Sequence, residues 1–463
     1  MFSSETYIKR RKELKNIMKS GVLFFPGAVE TPMNYRSNTY KFRQDSSFLY
    51  YFGIDAPNLA AVIDVDNDRE IIFGDDRDID DIVWMGPEKL LIEKASEVGV
   101  TEIKSMSELS VSLMSHKNVA EIIHFLPQHQ AQIMIEFEKW LNIPPSEVNN
   151  RVSKNLKQAV VQQRSIKSNE EVAEIEKALD ISYLMNTLAM RASGPGILEQ
   201  EVYGAIEGLA LAMGNGVSFP IIFSINGETL HNHNHKNIMR DGDLALLDSG
   251  AESFLHYASD ITRTFPVSGK FTQRQKDIYN IVLKSQLKAI ESIKPDVSNK
   301  DIHQQTAKVI AEGLKDIGLM KGNINDAVNE GAHALFFPHG LGHMLGLDVH
   351  DMEGLGEGFV GYDKDTKRSD QFGLAYLRLA KKLHAGFVIT VEPGIYFIPQ
   401  LFKDWKREKK HLDFINYDKV EKYLDFGGIR LEDNVLVTES GHRVLGKSPI
   451  PKTVEEVEKA CGK

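Results

Sequence analysis

Cysteine is almost absent from this chain of 463 residues, which contains a single one, Cys461. One thiol cannot form a disulfide within the chain, and chains without disulfides are typical of reducing compartments. Long apolar runs are absent as well: none approaches the roughly 20 residues that a membrane-spanning helix needs. Residues 1–20 also lack the apolar core of a signal peptide. These absences predict a cytoplasmic protein that does not act at a membrane.

Positive charge is scarce relative to negative charge. The sequence has 55 Lys and Arg against 65 Asp and Glu, a formal net charge of −10. Because binding to a phosphate backbone requires a basic patch, nucleic acid is not an expected partner. With 42% hydrophobic and 26% charged residues, the composition is that of an ordinary globular protein. The length exceeds one ordinary core and predicts two domains.

Strand-like and helix-like segments alternate in the first third of the chain, which predicts an α/β domain. We expect short buried strands at "GVLFFPG", "SSFLYYFGI", "LAAVIDVD" and "REIIFGD", and helices in "GPEKLLIEKASEVGV" and "QAQIMIEFEKWLNI". After a polar segment, Ser168 and Glu171 form a capping-box signature for a helix over residues 169–192. The predicted domains are therefore 1–165 and 166–463.

Five side chains that can bind a metal occur in short motifs of the second domain. They are Asp248 in "LLDSGAE", Asp260 in "ASDITRTF", His343 in "HGLGHMLGLDVHD", Glu392 in "TVEPGIY" and Glu432 in "GIRLEDN". This oxygen-rich set suits manganese, magnesium or similar ions. Two divalent ions would balance the charge of the carboxylates, and such a pair can activate water for hydrolysis.

Asp248 and Asp260 lie in two β-like segments joined by a short connection. A hairpin centred near Phe254 would place them opposite each other, with Cβ atoms about 5 Å apart, where like charges are destabilising. A cation between them would offset that repulsion. The alternative is a pair of aspartates that point into solvent, but the apolar residues around Asp248 favour a metal site.

His339, His343 and His350 lie in a segment rich in glycine. The spacing of the first two could bind zinc on a helix, but Gly340 stands where the zinc-protease motif has its glutamate. For a single histidine, a buried, hydrogen-bonded side chain is the simpler explanation. Three of them in one segment, beside four carboxylates, favour a chemical site.

Glu392 and Glu432 follow apolar segments, so both are expected to be buried at the ends of strands. A buried carboxylate needs a partner, because removing a lone carboxylate from water is very costly. Arg430 lies two residues before Glu432, on the same face of a strand. It is predicted either to pair with Glu432 or to orient that ligand.

A polar tract, "TLHNHNHKN", carries His231, His233 and His235. Its polarity predicts a loop. For His233 and His235 we expect exposure to solvent.

These motifs together resemble the pita-bread metallopeptidases specific for proline, above all bacterial aminopeptidase P, with prolidase close. "MRDGDLALLDSGAE", "YASDITRTFPVSGKFT" and "HGLGHMLGLDVHD" match that family's signature, and "TVEPGIY" and "GIRLEDN" follow in the expected order. The segment "YKFRQDSSFLYYFGI" resembles the aminopeptidase P N-terminal domain. The resemblance covers nearly the whole chain. It implies an α/β (α+β) fold with a creatinase-like N-terminal domain and a pita-bread catalytic domain.

The resemblance also implies a role for each metal-binding side chain. Asp248 would chelate one ion, and Asp260 and Glu432 would bridge two. His343 and Glu392 would complete the second ion. Glu392 would also transfer a proton to the leaving proline nitrogen.

Further residues are implied to act on the substrate. His231 would hydrogen-bond the substrate or the tetrahedral intermediate, and His350 and His339 would contact the substrate near the proline. Arg430 matches an arginine near the metals. Trp84 resembles a tryptophan that closes the site of a neighbouring subunit in some family members.

The expected function is a Xaa-Pro aminopeptidase with two divalent ions, manganese fitting best, that acts on peptides with proline at the second position. The alternatives are a prolidase restricted to Xaa-Pro dipeptides and a non-catalytic peptide-binding protein of the same fold. Two insertions, about 353–383 and 399–426, interrupt the stretches between metal ligands and leave the substrate length open. A homodimer or homotetramer is expected.

Overall fold

The chain forms two compact units, Met1–Arg164 and Ser165–Lys463, in a computed structural model that describes residues 1–115 and 123–462. Within that described part, no helix has the length and apolarity needed to cross a bilayer. Each unit has its own hydrophobic core. We describe the two units one at a time.

The N-terminal unit is built on a mixed sheet of five strands, in the order β4-β3-β2-β1-β5. Its strands are β1 (Val22–Pro26), β2 (Ala60–Asp64), β3 (Arg69–Phe73), β4 (Glu102–Lys104) and β5 (Ile123–Phe125). Its helices are α1 (Ser4–Met18), α2 (Ser46–Phe52), α3 (Ile79–Met85), α4 (Leu91–Glu97), α5 (Leu109–Met114), α6 (Ala131–Leu141) and α7 (Lys154–Ser165). The predicted α/β architecture of this region is confirmed.

The strand expected at "SSFLYYFGI" is wrong, because Ser46–Phe52 is a helix. The Asp45 side chain caps its first turn by accepting hydrogen bonds from the Ser47 and Phe48 N–H groups, each at 2.9 Å. All of its residues are buried. A helix without an exposed face shows no helical alternation of polar and apolar residues, so a short one cannot be distinguished from a buried strand by its pattern.

The C-terminal unit combines long helices with several small antiparallel sheets. Its helices are α8 (Asn169–Ala192), α9 (Glu199–Met213), α10 (Gln273–Ser292), α11 (Asn299–Asp316), α12 (Ile324–Asn329), α13 (Glu357–Val360), α14 (Pro399–Arg407), α15 (Tyr417–Val420) and α16 (Val454–Cys461). Its strands are β6 (Gly216–Val217), β7 (Ile222–Ser224), β8 (Leu244–Ser249), β9 (Ala251–Glu252), β10 (Ile261–Pro266), β11 (Val388–Val391), β12 (Gly394–Tyr396), β13 (Gly428–Arg430), β14 (Asp433–Val437) and β15 (His442–Val444). The sheets that position the site are β10-β8-β7, β11-β14-β15 and β12-β13.

Helix α8 begins where its capping box predicts. The Glu171 N–H donates to Ser168 Oγ at 3.3 Å, and the Ser168 N–H donates to Glu171 Oε2 at 2.9 Å. The predicted helix over 169–192 is therefore confirmed to the residue.

The second insertion is part of the core of this unit rather than a surface addition. Phe402, Trp405 and Tyr417 are buried in the same hydrophobic cluster as Leu247 and Phe265 of the central strands. Within the cluster, the Trp405 ring also lies 5.9 Å from the ring of Phe372, in the first insertion. The two insertions therefore pack against each other.

Candidate metal centre and substrate site

The central hairpin of β8 and β10 supplies the two aspartates. Asp248 lies opposite Thr262 across the ladder, so the predicted pairing of Asp248 with Asp260 is wrong by two residues. Because side chains alternate from face to face with a period of two, this shift leaves both aspartates on one face, on a diagonal. Both are buried.

The remaining candidate ligands converge on these aspartates. Single ligand atoms of Asp260, His343 and Glu432 lie within 4.8 Å of one another. His343 Nε2 is 3.3 Å from Asp260 Oδ2 and 3.6 Å from Glu392 Oε1. Glu392 directly follows β11, and Glu432 lies between β13 and β14. The structure therefore brings together all five side chains singled out in the sequence.

Three carboxylate oxygens at this point are buried and lack a hydrogen-bond partner among the described residues: Asp248 Oδ1, Asp260 Oδ1 and Glu432 Oε1. In Asp248 and Glu432, the other carboxylate oxygen is hydrogen-bonded. Asp248 Oδ2 accepts from Arg430 at 2.6 Å, and Glu432 Oε2 accepts from Thr262 at 2.7 Å. Buried oxygens without donors are costly unless a cation binds them. Outer donors that orient ligands are typical of metal sites. The residues present therefore fit a divalent metal.

The hydrogen bond of His343 indicates which ring nitrogen faces the carboxylates as a ligand. Nδ1 lies 3.0 Å from the carbonyl oxygen of Met344. A carbonyl can only accept, so Nδ1 carries the hydrogen and the lone pair is on Nε2. This is the arrangement in which an imidazole binds a metal through Nε2.

Burial and mutual repulsion make the ionised carboxylates unfavourable without a cation. Burial, reinforced by the neighbouring carboxylates, raises the pKa of Asp260 and of Glu432 well above the usual range. Burial raises the pKa of Glu392 to about 7. A divalent ion would reverse this balance, because it favours the charged form of each ligand.

Arg430 connects several of the groups around the carboxylates. Its guanidinium donates to Asp248, to the Tyr396 hydroxyl at 2.9 Å and to Thr262 Oγ1 at 3.1 Å. The predicted ion pair of Arg430 with Glu432 is therefore wrong, because its charged partner is Asp248. Arg430 orients one ligand directly and a second, Glu432, through Thr262.

His339 is linked to Arg430 through the Tyr396 hydroxyl. Its Nδ1 is 2.8 Å from the Gly340 carbonyl oxygen, so Nδ1 donates. Nε2 is then an acceptor, and the Tyr396 hydroxyl donates to it at 2.8 Å. Burial lowers the pKa of His339 to about 3. Both ring nitrogens are thus used by the protein, and the residue offers an uncharged ring to the site.

His350 packs directly on His343, with ring centroids 4.1 Å apart. Its Nδ1 lies 2.5 Å from Glu353 Oε2. The next residue, Asp351, forms an ion pair with Lys167 at 2.7 Å, and both side chains are only 1% exposed. This buried pair fixes the segment that presents His350. The neighbouring His343, together with burial, lowers the pKa of His350.

His231 lies on an exposed loop, close enough to the centre for Arg430 to act on it. Burial and then the charge of Arg430 lower its pKa. The predicted exposure of His233 is confirmed. The prediction is wrong for His235, which is buried, donates from Nδ1 to the Phe223 carbonyl at 2.9 Å and stacks on Tyr203.

Trp84 belongs to the N-terminal unit. It lies on helix α3, where its side chain is 86% exposed. Ile79 and Val83 of the same helix are exposed to a similar degree.

Several residues of the site were not found from the sequence. Thr262 lies two residues after Asp260, so the period-two pattern could have indicated it. Tyr396 lies in β12, in a different sheet from β11, so no alternation extends to it from Glu392. Arg378, in the first insertion, had no such signal. Its guanidinium pairs with Glu353 and Glu357, and its charge helps lower the pKa of His231 and of His350.

Comparison with known proteins agrees with this geometry. Residues 173–439 match the model of metallopeptidase family M24, and residues 7–124 match that of the aminopeptidase P N-terminal domain. The chain is 32% identical over 453 residues to a probable Xaa-Pro aminopeptidase of Aspergillus clavatus. The alignment covers 95% of this chain and 92% of that protein. A probable Xaa-Pro aminopeptidase of Sordaria macrospora is 33% identical over 446 residues, with 95% and 91% covered.

Among solved structures, a variant of Escherichia coli aminopeptidase P in complex with substrate superposes with a TM-score of 0.80. It has 28% sequence identity and covers 100% of this chain and 98% of that one. The E. coli enzyme with the inhibitor Pro-Leu has a TM-score of 0.79 at the same identity and coverage. These matches confirm the predicted creatinase-like and pita-bread architecture. The chain belongs to metallopeptidase family M24, and it is a metal-dependent aminopeptidase with an aminopeptidase P N-terminal domain.

Proposed function

We propose that this protein removes the N-terminal residue from peptides with proline at the second position and that it uses two divalent metal ions. Manganese is the metal that best suits the set of ligands. The observation that carries the proposal is the set of three buried, unpartnered carboxylate oxygens beside His343 Nε2, in the described part of the chain. The names of the fungal relatives and of the E. coli structures support the Xaa-Pro specificity.

We assign the ligands as the family resemblance implies. Asp248 would hold one ion, Asp260 and Glu432 would serve both, and His343 and Glu392 would hold the other. Oxygen-rich donors of this kind favour manganese or magnesium over ions that prefer thiolates. Four carboxylates and two divalent ions also balance in charge, which supports a count of two.

When bound, the ions would polarise the substrate carbonyl and lower the pKa of an attacking water. The protein then has to move protons and stabilise charge. Glu392 would accept the proton of the attacking water and pass it to the leaving proline nitrogen, the role that the family resemblance implies. His231 or His350 would donate a hydrogen bond to the oxygen on which negative charge develops.

The proline ring is recognised through shape, because a proline amide has no N–H to offer. His339 supplies one wall with its uncharged ring, and the Phe337 ring meets it edge to face at 5.0 Å. Arg430 acts by orienting Asp248 and, through Tyr396, the His339 ring.

Assembly and location form a separate part of the proposal. We expect a homodimer or homotetramer in the cytoplasm, with Trp84 near the site of a neighbouring subunit. The exposure of Trp84, Ile79 and Val83 on one short helix supports an interface there. Light scattering that finds a monomer at working concentration would remove this part and leave the catalytic proposal intact.

The decisive experiment compares two substrates with the manganese-loaded protein: an Xaa-Pro dipeptide and a longer Xaa-Pro peptide. Release of the N-terminal residue from the longer peptide, and not from a matched peptide with alanine at the second position, is the expected result. Cleavage of the dipeptide alone would make the protein a prolidase. If neither is cleaved while elemental analysis finds both ions bound, the protein is a peptide-binding member of the family.

A further inference from the structure

The loop that carries His231 has no regular secondary structure. It connects β7, which ends at Ser224, to β8, which begins at Leu244. His231, His233 and Asn234 are exposed on it. Such a loop can hold an imidazole in one place only if its ends are fixed.

The part of this loop that carries His231, residues 225–237, is held at both of its ends by one buried carboxylate, that of Glu199. The Ile225 N–H donates to Glu199 Oε1 at 2.7 Å. At the other end, the Asn237 side-chain amide donates to Oε1 at 3.2 Å and to Oε2 at 3.0 Å, and the Asn237 N–H donates to Oε2 at 3.4 Å. Glu199 is 0% exposed. Its backbone N–H also donates to the Asn237 carbonyl, at 3.0 Å.

Glu199 is not one of the candidate ligands, and its position explains why the group is a carboxylate. It is the first residue of helix α9, where the helix dipole favours negative charge. The groups that face its two oxygens are all N–H donors, and hydrogen bonds to a charged acceptor are the stronger ones. Apolar burial alone would not need an acid here.

We infer that Glu199 is a positioning residue for His231: by joining Ile225 to Asn237 it closes the base of the loop and sets where the imidazole stands. The inference rests on the proposed role of His231 in substrate binding. It extends that role to a residue outside the metal and substrate groups described above.

The variant Glu199→Gln tests the inference with little change of shape. A glutamine keeps one oxygen for Ile225, but its NH2 group faces the Asn237 N–H, so the side chain holds this end of the loop more weakly. The backbone hydrogen bond from residue 199 to the Asn237 carbonyl remains. We expect kcat/KM for an Xaa-Pro peptide to fall roughly tenfold, which corresponds to about 1.4 kcal/mol of lost transition-state stabilisation. Manganese content and the thermal shift on manganese binding should stay at the wild-type level.

The matched control is Glu201→Gln, the same change two residues along the same helix. Glu201 accepts from the Leu198 N–H at 3.0 Å, which is a helix-capping contact. This variant should keep wild-type kcat/KM. If Glu199→Gln destabilises the whole protein, Asn237→Ala replaces it, because this substitution removes only the side-chain part of one end.

The decisive comparison combines Glu199→Gln with His231→Ala. If Glu199 acts through His231, the double variant is no slower than His231→Ala alone. Losses that multiply would overturn the inference, and so would a fully active Glu199→Gln beside an impaired His231→Ala.

Hydrogen exchange separates this inference from the proposed function. Amides of residues 225–237 should exchange faster in Glu199→Gln than in Glu201→Gln; unchanged exchange overturns the inference. If exchange rises but His231→Ala is fully active, Glu199 does hold the loop, and it is the proposed role of His231 that fails.

Discussion

Replacing Asp260 with asparagine is expected to stabilise the metal-free protein and to remove its response to manganese. The ligand oxygens of Asp260 and Glu432 lie within 4.8 Å of each other. Two full charges at that separation repel by about 3.5 kcal/mol at an effective dielectric constant near 20. The raised pKa of each carboxyl allows protonation to relieve part of the repulsion. We therefore expect the free energy of unfolding of metal-free Asp260→Asn to exceed that of the metal-free wild type by about 1–2 kcal/mol at pH 7.

The dependence on pH has a definite sign. A carboxyl whose pKa is raised in the folded protein contributes stability below the pKa of the unfolded chain, near 4, and loses it as pH rises through the raised value. The advantage of Asp260→Asn over the wild type, measured in chelator, should therefore grow from pH 5 to pH 8.

Thermal or urea unfolding, with chelator and with manganese, measures both effects. At 100 times its dissociation constant, each ion adds about 2.7 kcal/mol to the wild type. This gain should largely disappear in Asp260→Asn, together with peptidase activity. A variant that is less stable in chelator, or that keeps the full manganese gain, would refute the reasoning.

Asp433→Asn is the matched control, because this neighbouring buried carboxylate has the opposite environment. Asp433 pairs with Arg263 at 2.6 Å and with Lys452 at 2.7 Å. Although burial opposes them, these cations lower its pKa. Asp433→Asn should therefore destabilise the protein both with and without manganese, while the gain from manganese remains.

Three further predictions concern residues around the site. His303 is buried with both ring nitrogens unpartnered in the described structure, and burial lowers its pKa to about 3. The wild type should therefore lose about 2 kcal/mol of stability between pH 6.5 and pH 5, because only the unfolded chain takes up this proton, and His303→Leu should abolish that loss in urea unfolding. Arg378→Met should raise the pKa of His231, so the acidic limb of the kcat/KM profile moves to higher pH; an unmoved limb would contradict this electrostatic role. Lys167→Met leaves Asp351 charged and buried, so it should cost about 3–5 kcal/mol in denaturant unfolding; a change below 1 kcal/mol would show that the pair is not structural.

The sequence predicted the site more completely than it predicted the local geometry. The hairpin register illustrates the reason: the expected pairing of Asp248 with Asp260 was displaced by two residues, and Thr262 stands opposite Asp248. An error of two preserves the face of every side chain, whereas an error of one would have reversed it. The shared face was therefore predictable, but the exact partner depends on the connecting turn.

Long-range partners could not be predicted in the same way. Arg430 was expected near Glu432 because the two are close in sequence, yet it pairs with Asp248, which is distant in the chain. The buried imidazole of His235 was missed for the same reason, since Tyr203 and Phe223 come from other elements. Local pattern indicates which side chains are buried, but only the packing of distant segments determines what they meet.

The way His339 is held makes the recognition of proline insensitive to acidity. Its Nδ1 donates to the Gly340 carbonyl and its Nε2 accepts from the Tyr396 hydroxyl, and burial lowers its pKa to about 3. Between pH 5 and pH 8, the wall that we assign to the proline ring therefore keeps one protonation state and one orientation. Acidification within this range would leave the surface that meets the proline ring unchanged.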